Sequence, residues 1–217
     1  MRLIVLPGVF RPISDTRMLA DSVRAHLGDG QRALDLCTGS GAIALAAASA
    51  GARTAASDVS RAAVLNVRIN ARLNGVRVDV RRGDLLEPFA GEQFDLIASN
   101  PPYVPGRTDR LPTGGPERAW DAGLDGRALL DRICAEAPAY LRPGGTLLLV
   151  HSSLIDGGAT LERLGQAGLR AEIVERVPGP LGPLMAARAP QLEARGLLPA
   201  GRREEELLVI RGVAGEP

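Results

Sequence analysis

The chain has 217 residues, 45% of them hydrophobic and 24% charged, a balance that excludes disordered and membrane-embedded classes and suits one domain of ordinary size. Twenty-six basic residues against twenty-five acidic ones leave a net charge of +1, so no global field draws the chain to nucleic acid or to an anionic membrane. Every basic residue is an arginine, which removes mechanisms that need a lysine Schiff base, a phosphate-loop lysine or a Ser-Lys pair. Cys37 and Cys134 lie far apart and outside any ligand-like spacing, so neither a disulfide framework nor a metal site is expected, and a reducing cytoplasmic setting fits.

The apolar run Leu3, Ile4, Val5, Leu6 stops at Pro7-Gly8, too short for a signal peptide or a membrane span. Ser14 is placed to cap a helix that runs to about Leu27 and ends at Gly28-Asp29-Gly30, which makes residues 1–31 an N-terminal helical segment. Short apolar runs then predict strands over residues 32–37, 53–58, 76–82, 94–99, 145–150, 171–177 and 205–211. Between them, Ala62, Leu65, Ile69 and Leu73 step by three and four, as do Leu130, Ile133, Ala137 and Leu141, the spacing of helices covering a sheet. Pro138 is expected to kink the second of these or end it early. Residues 178–201, rich in Pro, Gly, Ala and Arg, are expected to form an irregular loop, leaving the last two strands to pair as an antiparallel hairpin. The whole reads as a single α/β domain over residues 1–217, with a seven-stranded, mostly parallel sheet and helices on both faces.

The first strand runs into Thr38-Gly39-Ser40-Gly41, at the strand-to-helix turn where open α/β sheets bind ligands. Gly39 and Gly41 allow a sharp turn and a close approach by a ligand, although a glycine pattern of this kind is weak alone. Two acids strengthen it. Asp35 lies inside the strand, a costly place for a carboxylate without a partner. Asp58 ends the second strand seventeen residues after Gly41, where an acid takes both ribose hydroxyls. An adenosine-containing cofactor is indicated. Asp84 follows the third strand on the same edge, as an acceptor for the adenine amine or as a plain turn residue.

The fourth strand ends in Asn100-Pro101-Pro102-Tyr103, a run expected by chance in about one chain of this length per thousand. The prolines fix φ and remove two donors. The Asn100 side-chain oxygen and the Pro101 carbonyl can then accept both hydrogens of a planar NH₂ group, with Tyr103 offering a flat face beside it. Such a nitrogen is a poor nucleophile because its lone pair is delocalised, and two acceptors on its hydrogens favour the rehybridised form as positive charge develops.

Asp35 to Gly41, Asp58, Asp84 and Asn100 to Tyr103, at these spacings, resemble a class I S-adenosylmethionine-dependent N-methyltransferase with a Rossmann-like fold. Within that class they resemble the HemK-type enzymes, which methylate the glutamine amide of translation release factors. The stretches Val9-Phe10-Arg11-Pro12 with Asp15-Thr16, and Glu117-Arg118-Ala119-Trp120 with Gly123 and Asp125-Gly126, are similar to the short eukaryotic and archaeal branch of that family, which lacks the N-terminal helical recognition domain.

The resemblance implies S-adenosyl-L-methionine as cofactor. It would be held by Thr16, Asp35, Thr38, Gly39, Gly41, Asp58 and Val59 around methionine and ribose, and by Asp84 and Leu85 at adenine. It also implies Asn100, Pro101, Pro102 and Tyr103 at the acceptor nitrogen, with Asn100 also near the cofactor and with Glu117 and Trp120 walling the acceptor cleft. A release factor is then the protein substrate, and a small zinc-binding activator protein a partner. Cys37 stands where many relatives carry Gly, a change expected to be harmless because it precedes the tight turn. The adenine amine of DNA or RNA presents the same two hydrogens to Asn100, but the balanced charge counts against nucleic acid. A small molecule, such as an amide- or guanidine-bearing metabolite, is a third acceptor class.

Overall fold

The computed structural model describes residues 1–215, so residues 216–217 of the expected domain lie outside the described part. Seven strands, β1 (Arg32–Leu36), β2 (Arg53–Asp58), β3 (Val78–Arg82), β4 (Phe94–Ser99), β5 (Leu141–Ser152), β6 (Leu169–Pro180) and β7 (Glu204–Ala214), form one sheet in the order β3-β2-β1-β4-β5-β7-β6. β7 runs antiparallel to both β5 and β6, and the other pairings are parallel. The α/β architecture expected from the sequence is therefore present, including the antiparallel pair at the end. Six helices accompany it: α1 (Ser14–His26), α2 (Ala42–Ser49), α3 (Arg61–Leu73), α4 (Ala128–Glu136), α5 (Gly157–Gln166) and α6 (Pro183–Ala194). Among the described residues no helix is long and apolar enough to cross a membrane.

Alternate residues of the central strands feed two cores, one on each side of the sheet. Leu34, Leu36, Leu147 and Leu149 pack in one with Leu130 and Ile133 of α4. Ala33, Leu148 and Val150 pack in the other with Leu19 and Val23 of α1 and Ile43 of α2. Burial on both faces is why these strands read as continuous apolar runs. β1 lies between β2 and β4, so the chain reverses its direction of travel across the sheet there, and the loops after β1 and β4 part to leave a crevice.

Four local expectations differ from the structure. Ser14 is the first residue of α1 rather than its cap; the N-cap is Ile13, with no side-chain cap bond, and the Asp15 carboxylate takes the Thr16 N–H instead. Residues 183–194 of the expected irregular loop form α6. Pro183 occupies its first turn, where no N–H is needed, and Pro190 is tolerated because Met185, Ala189 and Leu192 are buried against the core. Arg188 and Arg195 also tie the helix to the carbonyls of Pro105 and Gly106.

The third difference is the face of α3. Leu65 and Leu73 are 51% and 41% exposed, and the buried side carries Val64, Val67, Asn66 and Asn70. The two buried asparagines, with Asn74 one turn on, bond the main chain of the N-terminal segment. Asn74 receives the Arg2 N–H and donates to its carbonyl, Asn70 does the same for Ile4, and Asn66 receives the Leu6 N–H at 2.7 Å. Amides at i, i+4 and i+8 thus imitate a strand ladder, and the buried polar face is satisfied by main chain. Residues 8–13, which follow this ladder, line the crevice. The fourth difference is Cys37, whose φ of +56° is left-handed. A side chain is strained there, so the replacement of Gly is not neutral to the backbone. Pro138 behaves as expected, ending α4 at Glu136 in a 3₁₀ turn over Ala137–Tyr140.

Candidate active site

A cleft of about 800 Å³ opens at the carboxyl ends of β1, β2, β3 and β4, in the size range of small-molecule sites. Of the residues expected to hold cofactor or acceptor, Thr16, Thr38, Gly39, Asp58, Val59, Asp84, Leu85, Asn100, Pro101, Pro102, Tyr103 and Trp120 line it. Asp35, Gly41 and Glu117 do not.

Asp35 lies beneath the loop and braces it. Its Oδ2 accepts from the Thr38 hydroxyl at 2.6 Å and from the Ala44 N–H at 3.0 Å, while its Oδ1 is buried with no partner. Burial pushes the Asp35 carboxyl up to about 7, the two hydrogen bonds lower it and the Asp58 charge adds to the rise. A folded-state value above the unfolded one means that the native state holds this proton more tightly. The stability Asp35 contributes is then full below about pH 4 and is lost as pH rises to about 7, a total of roughly 4 kcal/mol. Urea denaturation of Asp35→Asn should show no such slope relative to the unsubstituted protein, and parallel curves would refute the assignment.

The two glycines divide the work. At Gly39, with φ of +52°, an added Cβ would meet only the Cys37 carbonyl at 3.9 Å, so this glycine faces the open cleft. At Gly41, with φ of +84°, it would meet Leu45 at 2.9 Å and Val67 at 3.1 Å. Gly41 serves the packing of α2 against α3 rather than a ligand.

Asp58 closes the turn: its Oδ2 accepts from the Gly39 N–H at 3.0 Å and its Oδ1 from the Ser60 N–H at 2.8 Å. Burial raises its carboxyl above the usual range, against those two bonds and the nearby Arg118 charge. Each oxygen keeps a lone pair for a second donor, which fits a ribose diol. Asp84 is already paired, its carboxylate 3.0 Å from Arg132, while remaining on the cleft wall. The Cys37 thiol is held well above its ordinary value by burial and by the Asp58 and Asp35 charges, which makes it a filler rather than a nucleophile.

At the other end of the cleft a polar relay connects α1 to the loop after β4. Asp15, only 1% exposed, accepts from the Tyr103 hydroxyl at 2.9 Å and from the Thr16 hydroxyl at 3.1 Å. Thr16 Oγ1, its proton committed to Asp15, accepts from Asn100 Nδ2 at 3.1 Å. The Asn100 amide is therefore turned with its Oδ1 away from Thr16 and available to an incoming N–H donor. Burial, and then the Asp15 charge and hydrogen bond, hold the Tyr103 hydroxyl protonated far above its ordinary range, so Tyr103 orients and donates rather than acting as a base.

Glu117 stands exposed outside the cleft, its carbonyl accepting the N–H groups of Trp120 and Asp121, and its neighbour Arg118 lines the wall instead. His151 is fully buried and bonded to Thr160; burial lowers it to about 4, and it has no place among the cleft residues. Asp15 and Arg132 also line the cleft, as do the start of α6, in a segment from which the sequence leaves substrate choice to come, and Glu205, which reads in sequence as part of a solvated entry to the last strand but is 5% exposed. Asp15 carried a signal, an acid at the first turn of a helix. The α6 residues carried none, because the two prolines masked the helix. No group of three or more metal-ligating side chains occurs among the described residues.

Residues 1–114 match the methyltransferase small domain family. A protein of Methanocaldococcus jannaschii, provisionally named protein N5-glutamine methyltransferase, is 34% identical over 87% of this chain and 95% of its own. The release factor glutamine methyltransferase of Xylella fastidiosa is 38% identical over 88% of this chain and 67% of its own. Among solved structures, the E. cuniculi Mtq2-Trm112 complex, responsible for the methylation of the eRF1 translation termination factor, has a TM-score of 0.65 at 22% identity, over 96% of this chain and 99% of that one. A Pyrococcus furiosus methyltransferase also reaches 0.65, at 18% identity over 98% and 88% of the two chains. By sequence and by its Rossmann-like fold, the chain belongs to the methyltransferase small domain family.

Proposed function

We propose that the protein transfers the methyl group of S-adenosyl-L-methionine to the side-chain amide nitrogen of a protein glutamine, with a translation release factor as acceptor. The observation that carries this reading is the oriented Asn100 amide beside two prolines. Asn100 Oδ1 and the Pro101 carbonyl accept the two hydrogens of a planar NH₂, fixing the nitrogen in the plane between them. Both acceptors strengthen as the nitrogen turns tetrahedral and becomes positive, so they act where charge develops, and positioning supplies much of the rate.

When bound, the cofactor supplies an electrophilic methyl group on a sulfonium. Gly39, Thr38, Asp58 and Val59 are the residues to hold its methionine and ribose, Leu85 and Asp84 its adenine edge, and Thr16 lines the same cleft bonded to Asn100. Asp35 and Gly41 serve by shaping the loop. The names of the relatives from M. jannaschii and X. fastidiosa support glutamine as the acceptor, and the near-neutral charge supports a protein over a nucleic acid.

A small activator protein fits this reading as well. α3 turns Leu65 and Leu73 outward and packs beside β3, an edge strand of the sheet. An apolar stripe next to unpaired strand edges suits a partner that adds to the sheet. The cytoplasm is the compartment where such a substrate occurs.

Transfer of labelled methyl groups to purified release factors, bulk RNA, DNA and a metabolite extract tests the proposal. Label is expected on the release factor glutamine. Label confined to nucleic acid or to metabolites would overturn it.

A further inference from the structure

The acceptor end of the cleft holds a second carboxylate. Glu205, near the start of β7 and 5% exposed, lines the cleft together with Tyr103 and residues Gly182 to Met185 at the beginning of α6. Its Oε1 accepts from the Gly182 N–H at 2.5 Å. Its Oε2 is buried and has no hydrogen-bond partner. The arginines of α6 and of the turn before β7 have other partners: Arg188 donates to the Pro105 carbonyl and sits 3.7 Å from Asp121, and Arg203 pairs with Glu193. Asp15, on the other side of Tyr103, is already satisfied by Tyr103 and Thr16.

An unpartnered buried carboxylate oxygen costs stability in the free protein, a cost that holding the start of α6 does not explain, since a single oxygen does that. Oε2 is thus a buried carboxylate oxygen without a donor among the described residues, in the same cleft as Asn100 and Tyr103.

We infer that Glu205 forms a subsite for an N–H donor on the polypeptide flanking the methylated glutamine, so that this carboxylate selects the acceptor segment. The inference rests on the glutamine reading above. The donor is either a cationic side chain or a main-chain amide, and both require an accepting oxygen at the position of Oε2.

Glu205→Gln separates this role from capping. The amide oxygen retains the Gly182 bond, while an NH₂ replaces Oε2 and opposes a donor. Methyl transfer should be followed on three glutamine peptides: one with an adjacent arginine, one with norleucine in its place, and one with the adjoining main-chain nitrogens methylated. The variant is expected to raise KM for the arginine peptide about tenfold or more, with kcat, cofactor affinity and melting temperature retained. If the donor is cationic, the norleucine peptide reproduces the loss with the unsubstituted enzyme. If it is a main-chain amide, the methylated peptide does so. In either case Glu205→Gln adds nothing further on the impaired peptide. An unchanged KM, or a rise in KM that tracks a lowered melting temperature, would overturn the subsite and leave Glu205 as a tie for α6. Failure of the unsubstituted enzyme to methylate any glutamine peptide would instead count against the glutamine reading.

Discussion

Asn100→Ala is expected to lower kcat by about 100- to 1000-fold, the cost of removing one preorganised acceptor from a developing charge. Binding of S-adenosyl-L-methionine should survive, because the glycine loop, Asp58 and Leu85 are untouched. The structure explains why the loss is catalytic rather than structural. Asn100 makes a side-chain bond to Thr16 on the cleft wall, and β4 is held in the sheet by main-chain pairing to β1 and β5. Single-turnover methyl transfer, with cofactor affinity measured in parallel by calorimetry, checks the prediction. Activity within a few-fold of the unsubstituted enzyme would refute the role assigned to the amide.

Asp15→Asn should produce the next largest effect, a fall in kcat of about 10- to 100-fold with KM and the fold preserved. Asp15 touches neither hydrogen of the acceptor. It sets the direction of a chain of donors: the carboxylate claims the Thr16 proton, so the Thr16 oxygen claims the Asn100 NH₂, and the Asn100 oxygen is left for the substrate. An amide at position 15 can donate to Thr16, which releases that proton toward Asn100 and allows Asn100 to present its NH₂ to the acceptor, a donor meeting a donor. Thr16→Val should remove the same bias. If the three residues act as one relay, the double variant Asp15→Asn with Thr16→Val costs no more than the worse single variant. Additive losses, or a loss that appears in cofactor affinity alone, would show that Asp15 merely anchors α1.

The legible parts of the site were those whose chemistry is local. Asn100 to Tyr103 is contiguous, and its prolines fix the backbone without outside help. Gly39 and Asp58 sit at strand ends whose apolar runs are unmistakable. The position of Glu117, off the cleft wall, was not legible because a loop of 3₁₀ turns and bends between Tyr103 and Ala128 has no period from which to read which side chains face inward. The α3 face was misread for a different reason. A hydrophobic pattern assumes that the buried side is apolar, whereas here main chain from residues 2–6 satisfies Asn66 and Asn70, and leucines are left outside.

The sequence by itself determined the α/β class, the strand succession, the edge of the sheet where the cleft opens and the tetrapeptide proposed to receive an NH₂ group, because each rests on periodicity or on residues adjacent in the chain. Only the tertiary structure decided that Gly41 packs helices while Gly39 faces the cleft, that Asp15 is linked to Asn100 through Thr16, and that Glu205 lines the cleft beside the start of α6. The Thr16–Asn100 and Asp15–Tyr103 bonds join positions 84 and 88 residues apart, and direction and partnership between distant side chains follow from how the sheet and helices pack, which no local pattern encodes.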